Sequence, residues 1–299
     1  MVSKSENKPC RQSQNCRRPK GTQPNLPLAP VNGTKIHYRL EGASGDPLVL
    51  VHGSWGDHHS WDRIYPYLTD SFRVLSYDRR GHSLSERPDT QGSIDEDGAD
   101  LAGVIEHLGL APAHILGNSF GGSIALRLAT HRPELFRSLI VHEPPLFGLL
   151  NDPDTRETLE LGRKRTGAVV ELLEKGEAEA GARLFMETIA FGPGCWIRFT
   201  SEHRKLFTNN APTFLDEMRD PEWLTIDLER LSRFSAPTLL SSGDRSEPFF
   251  PTIVAEIAKA LPAPGVSSLE GMDHVPHLSS AEEYTEFIKS FLQTVKSDN

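Results

Sequence analysis

Three short stretches of this chain combine residue types that can attack, deprotonate and stabilise. Ser119 stands in Gly117-Asn118-Ser119-Phe120-Gly121, after the apolar run His114-Ile115-Leu116 and before an amphipathic pattern that begins at Gly121. A serine at such a strand–turn–helix junction is lifted out on a sharp turn. Only small residues fit around that turn, and Gly117, Gly121 and Gly122 supply them. The helix start then aims backbone N–H groups at whatever the hydroxyl attacks. The pentapeptide alone fits a glycine-rich turn with a capping serine better than a nucleophile, so its companions carry the argument.

The first companion is His52-Gly53-Ser54-Trp55, directly after the apolar run Pro47 to Val51. A glycine turn at a strand end can present backbone N–H donors to the negative charge of a tetrahedral intermediate. We expect those donors to be the N–H groups of Ser54 and Phe120. His52, which opens the turn, is expected to order the loop rather than to act as base. The second companion is Gly271-Met272-Asp273-His274, after the run Val266 to Leu269. Histidine titrates near working pH, so His274 is the expected general base, with His277 a packing neighbour. Pairing the two as metal ligands needs a third ligand that the sequence does not offer. No phosphate loop or dinucleotide signature is present either, and we expect no cofactor and no metal.

These residues need a scaffold, and the pattern between them describes one. Strand-like runs fall at Lys35–Leu40, Pro47–Val51, Arg73–Tyr77, His114–Leu116, Ser138–His142, Thr238–Ser241 and Val266–Leu269. Helix-like spacing falls at Ile94–Leu108, Gly121–Thr130, Pro251–Leu261 and Ala281–Val295. Such alternation predicts an α/β fold: a mostly parallel twisted sheet with helices on both faces. The rhythm breaks between His142 and Thr238, where amphipathic and aromatic residues run at helical spacing. We therefore expect a core over residues 31–147 and 235–299, with a helical insertion over 148–234.

Residues 1–30 hold six Lys/Arg and one Glu, and this polar tail is expected to be disordered. The whole chain carries a net charge of −9, so the body is acidic. That argues against nucleic acid as a partner, because phosphate binding needs a basic footprint. With no apolar run long enough for a secretory or membrane segment, we expect a cytoplasmic protein without a membrane partner. Cys10, Cys16 and Cys195 form neither a disulfide framework nor a zinc spacing. Oligomeric state is not legible.

Taken together, His-Gly-Ser-Trp-Gly, Asp78-Arg79-Arg80-Gly81-His82-Ser83, Gly-Asn-Ser-Phe-Gly-Gly and Gly-Met-Asp-His resemble the α/β-hydrolase superfamily, in its order, over about residues 30 to 297. The resemblance implies that the insertion is a cap over the catalytic end of the sheet and that Asp78 to Ser83 is architectural. It also implies a triad acid, for which three residues compete. The family's usual position, three residues beyond the glycine that follows the strand after the cap, is Ser246. Asp244 stands where an accessory acid is often found, and Glu247 fits with a one-residue shift. A second position, used by many haloalkane dehalogenases and by zearalenone-type lactone hydrolases, lies 24 residues after the nucleophile. Glu143 stands there, and it is our first choice over Asp244 and Glu247.

The expected function is cleavage of a carboxylic ester or lactone of a small molecule. Hydrolysis of a diketone C–C bond and acyl or peracid transfer share the machinery, and a non-enzymatic small-ligand receptor is the distant alternative. Dehalogenases and epoxide hydrolases of this superfamily place aspartate where this chain has Ser119.

Overall fold

A computed structural model describes residues 26–151 and 153–297. Its eight strands are β1 (Leu28–Val31), β2 (Thr34–Glu41), β3 (Pro47–Val51), β4 (Arg73–Tyr77), β5 (Ala113–Asn118), β6 (Phe136–His142), β7 (Thr238–Gly243) and β8 (Gly265–Leu269). They form one sheet in the order β1-β2-β4-β3-β5-β6-β7-β8. The pairs β1/β2 and β2/β4 are antiparallel, and every later pair is parallel. Strand β3 therefore has β4 on one side and β5 on the other. The chain switches direction across the sheet at that point, and a crevice opens beyond the carboxyl ends of β3 and β5.

The central strands read as unbroken apolar runs because both faces of the sheet are covered. Side chains alternate between the faces. Val49, Val51 and Ile115 join a core beneath α2 (Ile94–His107), α3 (Phe120–His131) and α8 (Phe249–Ala260). Leu48, Leu50 and Leu116 join a second core beneath α1 (Tyr65–Thr69) and α10 (Ala281–Ser297), with the short α9 (Pro276–Ser279) between β8 and α10. Helix α2 begins where Ser93 accepts the Glu96 N–H and three acids follow in the first turn, which satisfies free N–H groups and the helix dipole.

The expected strands and helices recur with ends shifted by a few residues, but the amino-terminal boundary moves. Residues 28–30 lie inside the segment read as tail, yet β1 pairs antiparallel with β2. Its turn is Asn32-Gly33, both at positive φ (43° and 73°), the conformation a two-residue hairpin loop requires. Residues 1–25 of that tail lie outside the described residues.

Between β6 and β7 the described residues form no strand. Helices α4 (Arg156–Glu174), α5 (Ala178–Phe185), α6 (Ser201–Arg219) and α7 (Leu228–Leu231) occupy this span, with one turn of π-helix at Met186–Ala190. Val169, Leu173, Ala182, Met186, Cys195, Trp196, Ala211 and Phe214 make a separate apolar cluster, and it includes one residue of the sheet domain, Trp55. Cys195 is packed there as a small apolar side chain. Among the described residues no helix is long and apolar enough to cross a membrane.

Candidate active site

Strand β5 ends one residue before Ser119, whose backbone sits at φ 54°, ψ −128°. Three hydrogen bonds hold this strained residue: its N–H donates to the His142 carbonyl (2.9 Å), and its own carbonyl accepts from Gly122 (2.8 Å) and Ser123 (3.2 Å). The flanking glycines leave no room for side chains. A Cβ on Gly117 would stand 2.4 Å from the Gly121 carbonyl oxygen, and one on Gly121 would stand 2.1 Å from the Val51 carbonyl oxygen. The turn around Ser119 is thus pressed against the end of β3. Gly53 runs so close that a Cβ there would meet the Ser119 Cβ at 3.0 Å.

Beyond β3 the loop Gly53–Asp57 faces this serine. His52 is buried, and its Nε2 accepts the Arg79 N–H at 3.0 Å, so Nδ1 carries the proton and donates to the Gly53 carbonyl at 2.8 Å. Burial, with the nearby Arg79 charge, drives this imidazole down to about 3 and keeps it neutral. The consequence reaches Ser54. In a planar trans peptide the N–H points opposite to the carbonyl, so fixing the Gly53 carbonyl fixes the direction of the Ser54 N–H. Among the described residues neither the Ser54 nor the Phe120 N–H has a hydrogen-bond acceptor. Phe120 opens α3 directly behind the serine.

On the other side of β5, strand β6 delivers Glu143, also at positive φ (48°) and fully buried. One carboxylate oxygen accepts the Gly243 N–H at the end of β7 (2.7 Å), and the other lies 2.6 Å from His274 Nδ1. Burial pushes this carboxyl upward, but the His274 hydrogen bond and the charges of His274 and His142 outweigh it and hold the group below the usual glutamate range. His274 is stacked on Phe250, with ring centroids 4.7 Å apart. Its Nδ1 is occupied by the carboxylate, and Nε2 is the ring nitrogen left for other work. No hydrogen bond among the described residues joins Ser119 Oγ to the ring.

The backbone around His274 is tied down from several sides. Asn118 Nδ2 donates to the His274 carbonyl (2.8 Å), and Arg245 N–H donates to the Met272 carbonyl (3.0 Å). His142, with Nδ1 on Ser241 Oγ (2.9 Å), reaches the Asp273 carbonyl through Nε2 (3.1 Å). Asp244 spends its carboxylate on the Gly271 N–H at 2.8 Å. It shapes the turn before His274 and does not touch the ring. Glu247 is exposed, and its carbonyl accepts the Phe250 N–H at the start of α8. Ser246 faces the Glu143 carboxylate. His277 is buried against Trp61 (ring centroids 4.5 Å), away from this chemistry.

Two groups built on the Asp78 to Ser83 motif, which the resemblance implies to be architectural, flank the site. Asp78 accepts from His58 N–H (2.9 Å), His58 Nδ1 (2.6 Å) and Leu84 N–H (3.0 Å), with His37 Nδ1 at 3.3 Å. Burial alone would raise this carboxyl, yet the hydrogen bonds from His37 and His58 hold it far below the usual range. Among the described residues His37, His58 and Asp78 are the one His/Asp cluster compact enough for a metal ion. The Asp78 oxygens are already engaged in fixing two loops. The second is an ion triad: Arg79 is buried between Asp97 (2.6 Å) and Glu217 (2.8 Å), with its guanidinium 4.6 Å from the Phe120 ring centre.

Comparison with known proteins agrees with this architecture. A model of the "Alpha/beta hydrolase family" matches residues 48–287. An uncharacterized hydrolase of Bacillus subtilis is 30% identical over 155 residues, which is 50% of this chain and 57% of that protein. A soluble epoxide hydrolase of Corynebacterium sp. is 34% identical over 113 residues, 38% of this chain and 39% of that one. The chain thus spans little more than half of the first of these relatives and less of the second. Among solved structures, an alpha/beta hydrolase of Sphaerobacter thermophilus is 25% identical with a TM-score of 0.69, over 88% of this chain and 100% of that one.

Two outcomes follow from the geometry. Gly121→Ala forces a Cβ into the Val51 carbonyl, so it should destabilise the protein by roughly 3 kcal/mol or more in urea unfolding. A loss below about 1 kcal/mol would show that the turn can relax. The second concerns acid. His52 and His277 are pushed by burial to about 3 and His142 to about 4, against about 6.5 for an unfolded imidazole. Their contribution to stability is therefore complete above about pH 6.5 and is lost as pH falls toward 4, by about 1.4 kcal/mol per pH unit for each group. In urea titrations at a series of pH values, His277→Phe should flatten this slope by about one histidine's worth. An unchanged slope would mean that His277 is not held neutral.

Proposed function

This chain belongs to the alpha/beta hydrolase family, and we propose that it hydrolyses a carboxylic ester or lactone of a small molecule through an acyl-enzyme on Ser119. The observation that carries the reading is the 2.6 Å contact between the buried Glu143 carboxylate and His274 Nδ1, on the loop that Asn118 ties to the strained serine.

In this reading His274 Nε2 takes the Ser119 proton as Oγ attacks the carbonyl carbon. Glu143 stays ionised, holds the ring in the tautomer that leaves Nε2 free, and stabilises the imidazolium that forms. The Ser54 and Phe120 N–H groups receive the developing oxyanion. Collapse expels the alcohol oxygen, which takes the proton from His274. Water, deprotonated by the same ring, then attacks the acyl-enzyme and releases the acid with Ser119 restored.

The residue type at 119 also separates this chemistry from that of the epoxide hydrolase relative. Attack of serine on an epoxide carbon would leave an ether, which has no carbonyl for water to attack. An acyl substrate leaves an ester on Ser119, and the same base and donors can hydrolyse it.

The test is a pair of isosteric substitutions assayed with short p-nitrophenyl esters, folding being checked by circular dichroism. In Glu143→Gln the amide oxygen keeps the Gly243 N–H, so the NH2 group faces His274 Nδ1 and imposes the wrong tautomer. We expect kcat to fall by about 10⁴-fold, as for the equivalent change in other triads. Asp244→Asn should keep its bond to Gly271 and stay within about tenfold of wild type. The reverse ranking would move the acid to 244.

A further inference from the structure

We propose that the cap helix α6 positions the oxyanion loop, with Glu217 holding Ser54 in place, so that a competent oxyanion hole exists only while the cap is docked. The inference rests on the serine hydrolase reading above.

The loop Gly53–Asp57 follows β3, yet many of its contacts come from the cap. Glu217 Oε2 accepts the Ser54 hydroxyl at 2.6 Å. Phe214 stacks on Trp55, with centroids 4.9 Å apart, and Phe185 of α5 covers the same ring at 5.0 Å. Asn210 Nδ2 donates to the carbonyls of Gly56 (2.9 Å) and Trp55 (3.2 Å), while its Oδ1 accepts the Ser83 N–H (2.9 Å). Residues 210, 214 and 217 are spaced four and three apart, so they form a single stripe along α6. That stripe meets three successive residues of the loop, including Trp55 at a strained φ of 67°.

The Gly53–Ser54 peptide is thus held at both ends. His52 fixes its carbonyl from the sheet side, and Glu217 fixes the following side chain from the cap side. Glu217 is itself fully committed: its second oxygen pairs with Arg79, which Asp97 holds from α2. A carboxylate buried this deeply is retained only with such partners. Moving the cap away would strip Arg79 of one carboxylate, leave the Ser54 hydroxyl unpaired and release Trp55 from its aromatic neighbours. Docking of the cap and ordering of the Ser54 donor are therefore one event. Glu217 acts through Ser54 and touches no reacting atom, which makes it a positioning residue.

The test compares Glu217→Gln, Ser54→Ala, their double variant and Asp97→Asn in the full chain. It measures kcat and KM on p-nitrophenyl acetate, Ki for an alkyl trifluoromethyl ketone that mimics the tetrahedral intermediate, and Tm. Glutamine keeps the volume and can still accept from Arg79, but its NH2 group can only donate to Ser54 Oγ, which reverses the bond, turns the hydroxyl proton away and replaces a charge-assisted link with a weaker neutral one. We expect Glu217→Gln to lower kcat by about 10- to 100-fold, less than the loss of a whole oxyanion donor. KM should stay within about twofold, and Ki for the ketone should weaken by the factor lost in kcat/KM. The double variant should lose no more than the worse single one, because both act on one link. Asp97→Asn, which also weakens the ion triad, should lower Tm while kcat stays within about threefold.

A Glu217→Gln enzyme with kcat within threefold of wild type, or one that loses kcat with ketone affinity unchanged, overturns the proposal. Should that variant fail to fold, Ser54→Ala carries the same expectation and the same refutation. A wild-type protein with neither ester turnover nor fluorophosphonate labelling at Ser119 fails at the earlier step and removes the hydrolase reading itself.

Discussion

A serine held at φ 54° and ψ −128° occupies backbone space that costs an L-residue about 1–3 kcal/mol, and the site is built around keeping it there. The constraint passes from strand to strand along the carboxyl edge of the sheet. Ser119 donates its N–H to the last residue of β6. The next residue, Glu143, is itself at positive φ, so its carboxylate reaches the end of β7 and the ring of His274 beyond β8. On the other flank the glycine turn presses on the end of β3, from which the strained Trp55 loop departs. Three non-glycine residues in strained backbone thus sit at the ends of three neighbouring strands. Strain concentrated in this way marks a place where the surrounding structure dictates geometry.

The histidines divide the work according to solvation. His52 and His142 are buried and neutral, and each has both ring nitrogens engaged: the Gly53 carbonyl and Arg79 N–H for one, the Asp273 carbonyl and the Ser241 hydroxyl for the other. Only His274 among these has its ring partly open to solvent, with 28% of its side chain exposed, and a carboxylate on one nitrogen alone. Burial distinguishes a framework imidazole from one that can exchange a proton.

Much of this could be read from residues in order. The elbow glycines, the strand before Ser119 and the helix after it follow from steric rules, and the structure places Glu143 rather than Asp244 against His274. The family's second acid position, 24 residues after the nucleophile, pointed to Glu143 through the resemblance; its chemistry alone could not. Asp244 and Glu143 are both acids after buried strands, and only the turn that sends Asp244 to the Gly271 N–H tells them apart. The hairpin of β1 was announced by Asn32-Gly33, but a four-residue strand containing Pro30 has too little apolar pattern to be seen. Glu217 and Asn210 were invisible for a different reason. Polar residues on an amphipathic helix normally face water, and their burial here depends on partners more than 150 residues away in sequence, Ser54, Trp55 and Gly56.

The most direct measurement is mass spectrometry of the protein quenched within the first turnovers of a slowly deacylated ester such as a p-nitrophenyl carbamate or bulky acyl ester. A single adduct of the acyl mass is expected, mapped by peptide fragmentation to Ser119 and absent in Ser119→Ala. Ester turnover without any adduct at Ser119, or an adduct on another residue of the intact protein, would contradict it.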